Sequence, residues 1–316
     1  MRVLVLGGGV FAGRAVAERG LAEGWRVTAF NRDPRALPGV EHLRGDRTAD
    51  VSALAGRQWD LVVDTWLGPP EAVERTARLL SGSVDRYAYV SSLTVYADPL
   101  PKPLDESAPL LPGASADYPH RKAAAERAVA AHFGDRALVV RTGLLLGPHE
   151  RVGRLPWWLL RLRDGAPVPA PAPVGRQVQF ADVRDLAVWV LSSARAGTGG
   201  AYNFACPPGH ATMGSLLGAC RTAVGAGELR WIDERVLLAT GVRPWVELPL
   251  WIPVRPDAGD VYCVDTSRVA ATGALFRPLE ETVEDTWRWL VSAEPVLDDR
   301  PWLTRSAQAR VLAAHS

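Results

Sequence analysis

Cysteine is scarce in this sequence. Three cysteines occur among 316 residues, they lie far apart in the chain, and none forms a CxxC pair. Disulfide frameworks and zinc sites use cysteines in larger numbers and at closer spacing. The scarcity therefore argues against a disulfide-stapled secreted domain. It predicts reduced thiols, a cytoplasmic location and no metal site.

The sequence also lacks an excess of charge of one sign and long hydrophobic runs. The formal net charge is +1, and neither sign collects into an extended block. A near-neutral chain of this kind does not attract a polyanion or an anionic membrane surface. No apolar segment is long enough for a signal peptide or a membrane span. We therefore expect neither a nucleic-acid partner nor a membrane partner.

Apolar runs of strand length alternate with helical patterns through the first half of the chain. With 47% hydrophobic and 22% charged residues, a chain of this length can bury a sizeable core. The predicted strands are 3–6, 26–30, 60–64, 86–90 and 137–140. Such alternation is typical of an α/β fold with a mostly parallel, doubly wound sheet.

The second half of the chain has a different character. Two proline-rich stretches, 98–119 and 166–175, are predicted loops because proline interrupts helices and central strands. Beyond residue 150 the alternation weakens and tryptophans accumulate, which would suit either an apolar substrate wall or a core. We expect residues 1–150 to form the core domain and residues 151–316 a smaller C-terminal substrate-binding lobe, with elements near 176–204 returning to the core.

A glycine cluster lies between the first predicted strand and the first predicted helix. A dinucleotide needs a tight turn, close backbone approach and a helix N-terminus at this place, as in a Rossmann fold. A simple glycine turn is the alternative. The candidate cofactor-binding residues of this segment are Gly7, Gly9, Val10, Phe11, Ala12 and Gly13.

Asn31 and Arg32 end the second strand, where an acidic residue would bind the adenosine ribose. An arginine there pairs with a 2′-phosphate, whereas an aspartate repels one. This favours NADP over NAD, with NAD retained as the alternative cofactor. Asp46, after a short third strand, is placed to meet the adenine ring, although a turn aspartate explains it as well.

Tyr118 and Lys122 lie four residues apart at the start of a helical pattern, on one helix face. An ammonium one turn away stabilises a phenolate and lowers the pKa of the tyrosine, which can then act as an acid/base at neutral pH. Ser92 ends a predicted strand, at the edge where parallel sheets present reactive groups. Its hydroxyl can polarise a substrate oxygen. We interpret these three residues as a catalytic centre.

The motifs together resemble the extended or atypical extended short-chain dehydrogenases/reductases, the NAD-dependent epimerase/dehydratase group. The matching segments are the glycine loop, 90–96, the Tyr118/Lys122 pair, 141–148, 180–187 and 202–204. The resemblance implies that Ser92, Tyr118 and Lys122 are catalytic, that Tyr118 and Lys122 also contact the cofactor, and that Thr94 touches a small-molecule substrate. It also implies a homodimer.

The sequence departs from this family pattern at several positions. Val10 stands where the middle glycine of the usual loop occurs, and Thr142 replaces a proline. Trp66 stands where small residues are usual beside the cofactor, so we expect it to shape the substrate pocket. His149 and Arg176 are further candidate substrate-binding residues, although a solvated loop histidine and a structural salt bridge are the alternatives.

Three functions remain open from the sequence. The leading hypothesis is an NADP(H)-dependent oxidoreductase that transfers a hydride at a ketone or secondary alcohol carbon. The enzymatic alternative is a nucleotide-sugar epimerase with a tightly bound cofactor. A non-enzymatic dinucleotide sensor or RNA-binding regulator is the alternative from another class.

Overall fold

The computed structural model describes residues 1–32, 37–100, 103–112, 115–254 and 260–315, which divide into two compact units. Unit 1 comprises Met1–Leu144, Val183–Ala205 and Asp265–Leu275. Unit 2 comprises Leu145–Asp182, Cys206–Val264 and Phe276–Ser316. The chain therefore leaves unit 1 and returns to it twice.

The five predicted strands are all present, and each extends one or two residues beyond its predicted bounds. In chain order the strands are β1 (Arg2–Leu6), β2 (Arg26–Asn31), β3 (Glu41–Arg44), β4 (Trp59–Asp64), β5 (Val84–Ser92), β6 (Ala137–Thr142), β7 (Leu144–Leu146), β8 (Val168–Pro171), β9 (Phe180–Asp182), β10 (Gly200–Phe204) and β11 (Leu229–Ile232).

The helices are α1 (Phe11–Ala22), α2 (Pro70–Leu80), α3 (Tyr118–Phe133), α4 (Arg154–Arg163), α5 (Val183–Arg195), α6 (Met213–Val224), α7 (Glu234–Ala239), α8 (Ser267–Ala270), α9 (Leu279–Ala293) and α10 (Arg305–His315). Within the described part of the chain, none of them combines the length and the apolar character that crossing a bilayer requires.

Unit 1 is built on a seven-stranded sheet in the order β10-β6-β5-β4-β1-β2-β3, and every neighbouring pair is parallel. The chain builds one half of the sheet from β1 to β3 and then starts the other half at β4, directly beside β1. Ligands of doubly wound sheets bind where the strand order reverses in this way, outside the carboxyl ends of the strands. The predicted Rossmann fold is confirmed.

The central strands of this sheet are buried on both faces. Leu4 and Leu6 of β1 belong to a core cluster with Val73 of α2 and Val129 of α3. Val5, between the two leucines, points to the opposite face and has no exposed surface. Strands buried on both faces need apolar residues at every position, which explains the continuous apolar runs in the sequence.

In unit 2, helices α4, α6 and α9 pack against one another, and β8 pairs with β11 in a two-stranded parallel sheet. The prediction of a loop over 166–175 is therefore wrong for the segment that forms β8. Its prolines are tolerated because Pro169 and Pro171 alternate with residues that donate the ladder bonds. Val168 N donates to Glu228 O at 2.8 Å, and Ala172 N donates to Ile232 O at 2.9 Å.

The other proline-rich stretch, 98–119, is mostly loop, but it ends inside α3. Residues 101–102 and 113–114 lie outside the described part of this stretch. Pro119 occupies the first turn of α3, where the missing N–H removes no helical hydrogen bond. Tyr118 and Lys122 are thereby placed on one helix, as the sequence predicts.

Candidate active site

The glycine loop between β1 and α1 brings backbone segments closer together than side chains would allow. Gly7 has a φ of +100°, and a Cβ there would lie 2.5 Å from Oγ1 of Thr65. A Cβ on Gly13 would lie 2.2 Å from the carbonyl oxygen of Gly7. Glycine at both positions therefore lets the first turn of α1 pack directly against the loop.

A pocket of about 570 Å³ opens beside this loop in unit 1. Its wall is formed by residues at or just beyond the carboxyl ends of four neighbouring strands: Leu6, Gly7, Gly9 and Val10 after β1, Phe30, Asn31 and Arg32 after β2, Gly45 and Arg47 after β3, and Thr65, Trp66, Leu67 and Gly68 after β4. The pocket therefore lies where the strand order reverses, and its size suits a small organic ligand.

Five of the predicted cofactor residues belong to this wall, namely Gly7, Gly9, Val10, Asn31 and Arg32. Phe11, Ala12 and Gly13 form the first turn of α1, directly after Val10. Two buried donors of the wall, Asn31 Nδ2 and Arg47 Nε, have no hydrogen-bond partner among the described residues. Buried donors are usually satisfied, so these two point to a ligand with acceptor atoms.

One carboxylate oxygen of Asp46 is bound within a turn. Its Oδ1 accepts hydrogen bonds from the backbone N of Thr48 at 2.8 Å and from the Thr48 hydroxyl at 2.7 Å. These bonds, aided by the positive charge of Arg32, lower the pKa of Asp46. Its contact with an adenine ring remains a prediction.

An ion pair that the sequence analysis missed lies at the base of the pocket. Arg47 donates two hydrogen bonds to the carboxylate of Asp64, at 2.5 and 2.7 Å, and both side chains are almost completely buried. Arg47 also donates to Thr76 Oγ1 at 2.6 Å, and Tyr87 donates to Asp64 at 2.6 Å. Burial works to lower the pKa of Arg47, but the negative charge of Asp64 raises it overall. The arginine stays charged in the interior.

Trp66 is held against this ion pair. Its backbone N donates to Oδ1 of Asp64 at 2.9 Å, and its indole N–H donates to the carbonyl of Pro69 at 2.8 Å. The guanidinium carbon of Arg47 lies 5.1 Å from the centre of the indole ring. The structure shows that Trp66 is anchored on the pocket wall. Its contact with a substrate remains a prediction.

Ser92 ends β5 and caps the short 3₁₀ helix Leu93–Val95. Its Oγ accepts a hydrogen bond from the backbone N of Thr94 at 3.2 Å and lies 3.0 Å from the Thr94 hydroxyl. The two predicted site hydroxyls therefore lie together. Thr142, which replaces the family proline, donates its hydroxyl to the carbonyl of Ser91 at 3.0 Å and so ties β6 to β5 next to Ser92.

Tyr118 opens α3, and the helix begins there because Asp117 caps it. The Asp117 carboxylate accepts a hydrogen bond from the backbone N of His120 at 3.0 Å, and the His120 ring lies 2.7 Å from the same oxygen. His120 thus belongs to the helix cap. The Tyr118 side chain is 37% exposed, which leaves its ring accessible at the end of the helix.

Lys122 is buried, with 2% of its surface exposed. Its Nζ donates to the carbonyls of Trp66 and Val90, both at 2.6 Å, and lies 6.0 Å from the centre of the Tyr118 ring. Burial lowers the pKa of Lys122 to about 7, although the nearby carboxylates of Asp64 and Glu126 act to raise it. The amine therefore titrates near neutral pH.

A second buried ion pair lies one turn beyond Lys122 on α3. Arg141 of β6 donates to both carboxylate oxygens of Glu126, with the shortest distance 2.9 Å, and to the Tyr96 hydroxyl at 2.9 Å. Burial raises the pKa of Tyr96 to about 12 in spite of the arginine charge. Tyr96 in turn donates to Asn203 of β10 at 2.5 Å. This network anchors the segment that carries Ser92 and Thr94.

The two remaining predicted substrate residues belong to unit 2. Arg176 is buried and donates to Glu234 at 2.6 Å and to the Ile252 carbonyl at 2.8 Å, which corresponds to the structural alternative. His149 has a φ of +70°, and its ring centre lies 5.2 Å from that of Trp289. Substrate contacts by either residue remain predictions.

Sequence reasoning missed Arg47, Asp64, Glu126 and Arg141. One signal was available for Asp64, because a charged residue at the end of the apolar run Leu61–Val63 needs a partner once the strand is buried. The partner itself could not be read from the sequence, since Arg47 lies 17 residues away in a different connection.

The sheet order and the glycine loop define a Rossmann-fold protein. The model of the NAD dependent epimerase/dehydratase family matches residues 3–205, and the chain belongs to this family. The predicted resemblance is confirmed.

Solved structures of similar fold include enzyme WbmH of Bordetella bronchiseptica in complex with NAD⁺, with a TM-score of 0.70 and 21% identity over 92% of this chain and 98% of that one. UDP-glucose 4-epimerase of Thermus thermophilus in complex with NAD has a TM-score of 0.63 and 19% identity, covering 93% of this chain and all of that one.

A curated relative is the chloroplast stem-loop binding protein of 41 kDa b of Arabidopsis thaliana. It is 26% identical over 212 residues, which cover 60% of this chain and 54% of the relative. The chain thus spans about half the length of this relative.

Proposed function

We propose that this protein is an NAD(P)-dependent oxidoreductase that transfers a hydride at a ketone or secondary alcohol carbon, with Ser92, Tyr118 and Lys122 as its catalytic residues. The observation that carries the proposal is the environment of Lys122. Its amine is buried one helical turn from Tyr118, titrates near neutral pH and hydrogen-bonds the backbone of the pocket-wall residue Trp66.

In this proposal each side chain has a distinct role. Tyr118 gives a proton to the substrate oxygen during reduction and takes it back during oxidation. Ser92, oriented by its bonds with Thr94, donates a hydrogen bond to the same oxygen and polarises it. Lys122, when charged, stabilises the Tyr118 phenolate. Thr94 contacts the substrate beside Ser92.

The pocket in unit 1 fits a nicotinamide dinucleotide. Gly7 and Gly13 let the first turn of α1 lie directly against the loop at the pocket edge, and buried donors of Asn31 and Arg47 lack partners among the described residues. Gly7, Gly9, Val10 and the first turn of α1 would hold the diphosphate, since a helix N-terminus offers free N–H groups. Lys122 and Tyr118 would bind the nicotinamide ribose. The nicotinamide supplies a hydride donor or acceptor when bound.

Within this proposal, Arg32 sets a preference for NADP(H). It is exposed on the pocket wall at the end of β2, where a guanidinium can pair with a 2′-phosphate. The names of similar structures mention NAD, so the preference needs its own test. We expect NADPH to bind more tightly than NADH, and Arg32→Ala to remove most of that difference.

The binding test uses calorimetric titration of the purified protein with NADPH and NADH. Arg44→Ala, an exposed arginine at the end of the neighbouring β3, is the matched control for general electrostatics. Loss of selectivity in Arg32→Ala alone supports the assignment of Arg32. Equal affinities for both nucleotides refute the NADP preference, and binding of neither refutes the redox proposal.

The activity test screens a panel of ketones and secondary alcohols by nicotinamide absorbance. Tyr118→Phe and Ser92→Ala should each lower kcat about 10²- to 10⁴-fold while nucleotide binding persists. Tyr202→Phe, a tyrosine of β10 outside the proposed centre, serves as the control. Full activity in Tyr118→Phe would refute the catalytic assignment.

An epimerase is the second candidate, favoured by the epimerases among the similar structures. An epimerase oxidises and re-reduces the same carbon, so it copurifies with its dinucleotide and turns over without net absorbance change. Stoichiometric conversion of added NADPH with a ketone distinguishes the oxidoreductase from this candidate.

A nucleic-acid-binding regulator is the candidate from another class, favoured by the name of the curated relative. Binding of a stem-loop RNA that falls steeply with salt and is unaffected by Tyr118→Phe would favour it. The near-neutral charge of the chain argues against it.

A further inference from the structure

Trp66 is held from several directions by residues of the β4–α2 connection, in which it lies, and by the buried Arg47–Asp64 ion pair. Its indole N–H is bound to Pro69, and its ring lies against the guanidinium of Arg47. The backbone of Gly68 also abuts the ring, since a Cβ there would lie 2.6 Å from Cζ2 of the indole. These contacts fix the backbone of Trp66 as well as its side chain.

The carbonyl oxygen of Trp66 is one of the two backbone acceptors of the Lys122 amine, and both distances are 2.6 Å. The other acceptor, the Val90 carbonyl, belongs to β5 and is held by the sheet. The Trp66 carbonyl belongs to the connection after β4. Besides the contacts of the indole, the bond from the Trp66 backbone N to Asp64 and a bond from the Tyr89 hydroxyl to the carbonyl at 3.4 Å hold it in place.

Charged and titratable groups from every side face the Lys122 amine. Asp64 at the end of β4 and Glu126 on α3 stabilise its charge, and Arg47 opposes it. The rings of Tyr89 on β5 and Tyr118 on α3 lie 4.6 and 6.0 Å from Nζ. Both carboxylates are already paired, Asp64 with Arg47 and Glu126 with an arginine of β6. The two carbonyls therefore provide the direct hydrogen bonds to the amine.

We propose that Trp66 is the positioning residue of Lys122: its anchored indole and backbone hold its carbonyl as an acceptor on the buried amine, in the place that water would otherwise take. This inference rests on the proposed function in treating Lys122 as catalytic. The geometry itself requires no bound nucleotide, so it can be tested on the protein alone.

Trp66→Ala removes the indole contacts and lets water reach the amine and take the place of the Trp66 carbonyl as its acceptor. Because burial is the main reason that the pKa of Lys122 lies near 7, hydration should raise it towards the ordinary 10.5 by about one unit or more. Trp66→Phe keeps a ring beside Arg47 but loses the bond to Pro69, so it should raise the pKa by a smaller amount. Leu67→Ala, in the same connection and 62% exposed on the same pocket wall, should leave it unchanged.

The sequence makes this measurement direct, because the chain has only two lysines, Lys102 and Lys122. In protein labelled with ¹⁵N-lysine and carrying Lys102→Arg, one Nζ resonance remains, and its shift is followed with pH by NMR. Circular dichroism establishes that each variant is folded. An upward shift in Trp66→Ala, with a smaller shift in Trp66→Phe, supports the proposal.

Unchanged titration of Lys122 in folded Trp66→Ala would overturn the proposal. If Trp66→Ala fails to fold, the titration of Lys122 in Trp66→Phe is the test, and an unchanged pKa there overturns the proposal. Nucleotide titrations of the same variants separate the two hypotheses. Absence of NADPH and NADH binding to the unaltered protein refutes the proposed function, while a shifted Lys122 titration still establishes the positioning role of Trp66.

Discussion

Arg47, in the connection after β3, and Asp64, the last residue of β4, form a two-bond ion pair with N–O distances of 2.5 and 2.7 Å. Planar pairing of this kind aligns both partners and is stronger than a single charged hydrogen bond. The pair therefore ties β4 to the connection after β3, two parts of the sheet that β1 and β2 separate, beside the pocket of unit 1.

Removing one partner of this pair should be strongly destabilising. Arg47→Met leaves the Asp64 carboxylate buried without its counter-ion, and we expect the free energy of unfolding to fall by about 3–5 kcal/mol. Urea unfolding followed by circular dichroism measures the change. Arg44→Met, an exposed arginine three positions earlier, should change stability by less than about 0.5 kcal/mol. Equal losses of stability in Arg47→Met and Arg44→Met would contradict the inference that the buried ion pair stabilises the fold.

The close contact between α1 and the glycine loop predicts opposite effects of one substitution at two helical glycines. Gly13→Ala places a methyl group against the Gly7 carbonyl and should cost about 1–3 kcal/mol, together with a loss of nucleotide affinity. Gly218→Ala in α6 meets no atom within 4 Å and should stabilise the protein by about 0.5–1 kcal/mol. Thermal unfolding of both variants tests the prediction, and a stabilised Gly13→Ala would refute it.

The buried amine of Lys122 predicts a pH dependence of stability. Its pKa is lowered from 10.5 to about 7, so between these values the unfolded chain binds a proton that the folded chain does not. Stability conferred by this group therefore rises from pH 7 to pH 10.5, by about 5 kcal/mol in total, and is constant below pH 7.

Lys122→Met removes this titration while keeping a long apolar side chain. The difference in unfolding free energy between the unaltered protein and Lys122→Met should move in favour of the unaltered protein as the pH rises through this range. Urea unfolding at a series of pH values measures it. If the unfolding free energies of the two proteins depend on pH in the same way, Lys122 is charged in the folded protein at neutral pH.

Glu150 in unit 2 predicts a pH effect of the opposite sign. Burial raises the pKa of its carboxyl to about 7, against the lowering effect of Arg154 and of backbone N–H groups. Between pH 4.5 and 7 the folded chain therefore binds more protons than the unfolded chain, and the stability it contributes falls as the pH rises.

Glu150→Gln abolishes this proton uptake. Relative to the unaltered protein, the variant should gain about 3 kcal/mol of stability between pH 4.5 and pH 7. Guanidinium unfolding across this range measures the gain. Glu247→Gln, at a more accessible carboxylate of the same unit that pairs with Arg243, is the matched control for the loss of a carboxylate charge. If the difference in unfolding free energy between Glu150→Gln and the unaltered protein does not change with pH, burial does not raise the pKa of the Glu150 carboxyl.

Much of the sheet could be predicted from local patterns. Strands such as β1 and β4 are buried on both faces, so their sequences are continuously apolar and easily recognised. The β8 segment was predicted as loop because its prolines exclude a central strand, but an edge position needs donors only at alternate residues. Its pairing with β11 depends on a segment far along the chain.

By itself the sequence determined the strand–glycine–helix start, the order of strands and helices, and the placement of Tyr118 and Lys122 on one helix, because each depends on residues close together in the chain. Only the tertiary structure decided how Lys122 is surrounded. Asp64 of β4, Trp66 of the connection after it and Val90 of β5 reach its amine or its immediate electrostatic environment from parts of the chain more than 30 residues away. Burial and through-space charge set the proton affinity of an amine, and neither has a signature in local sequence.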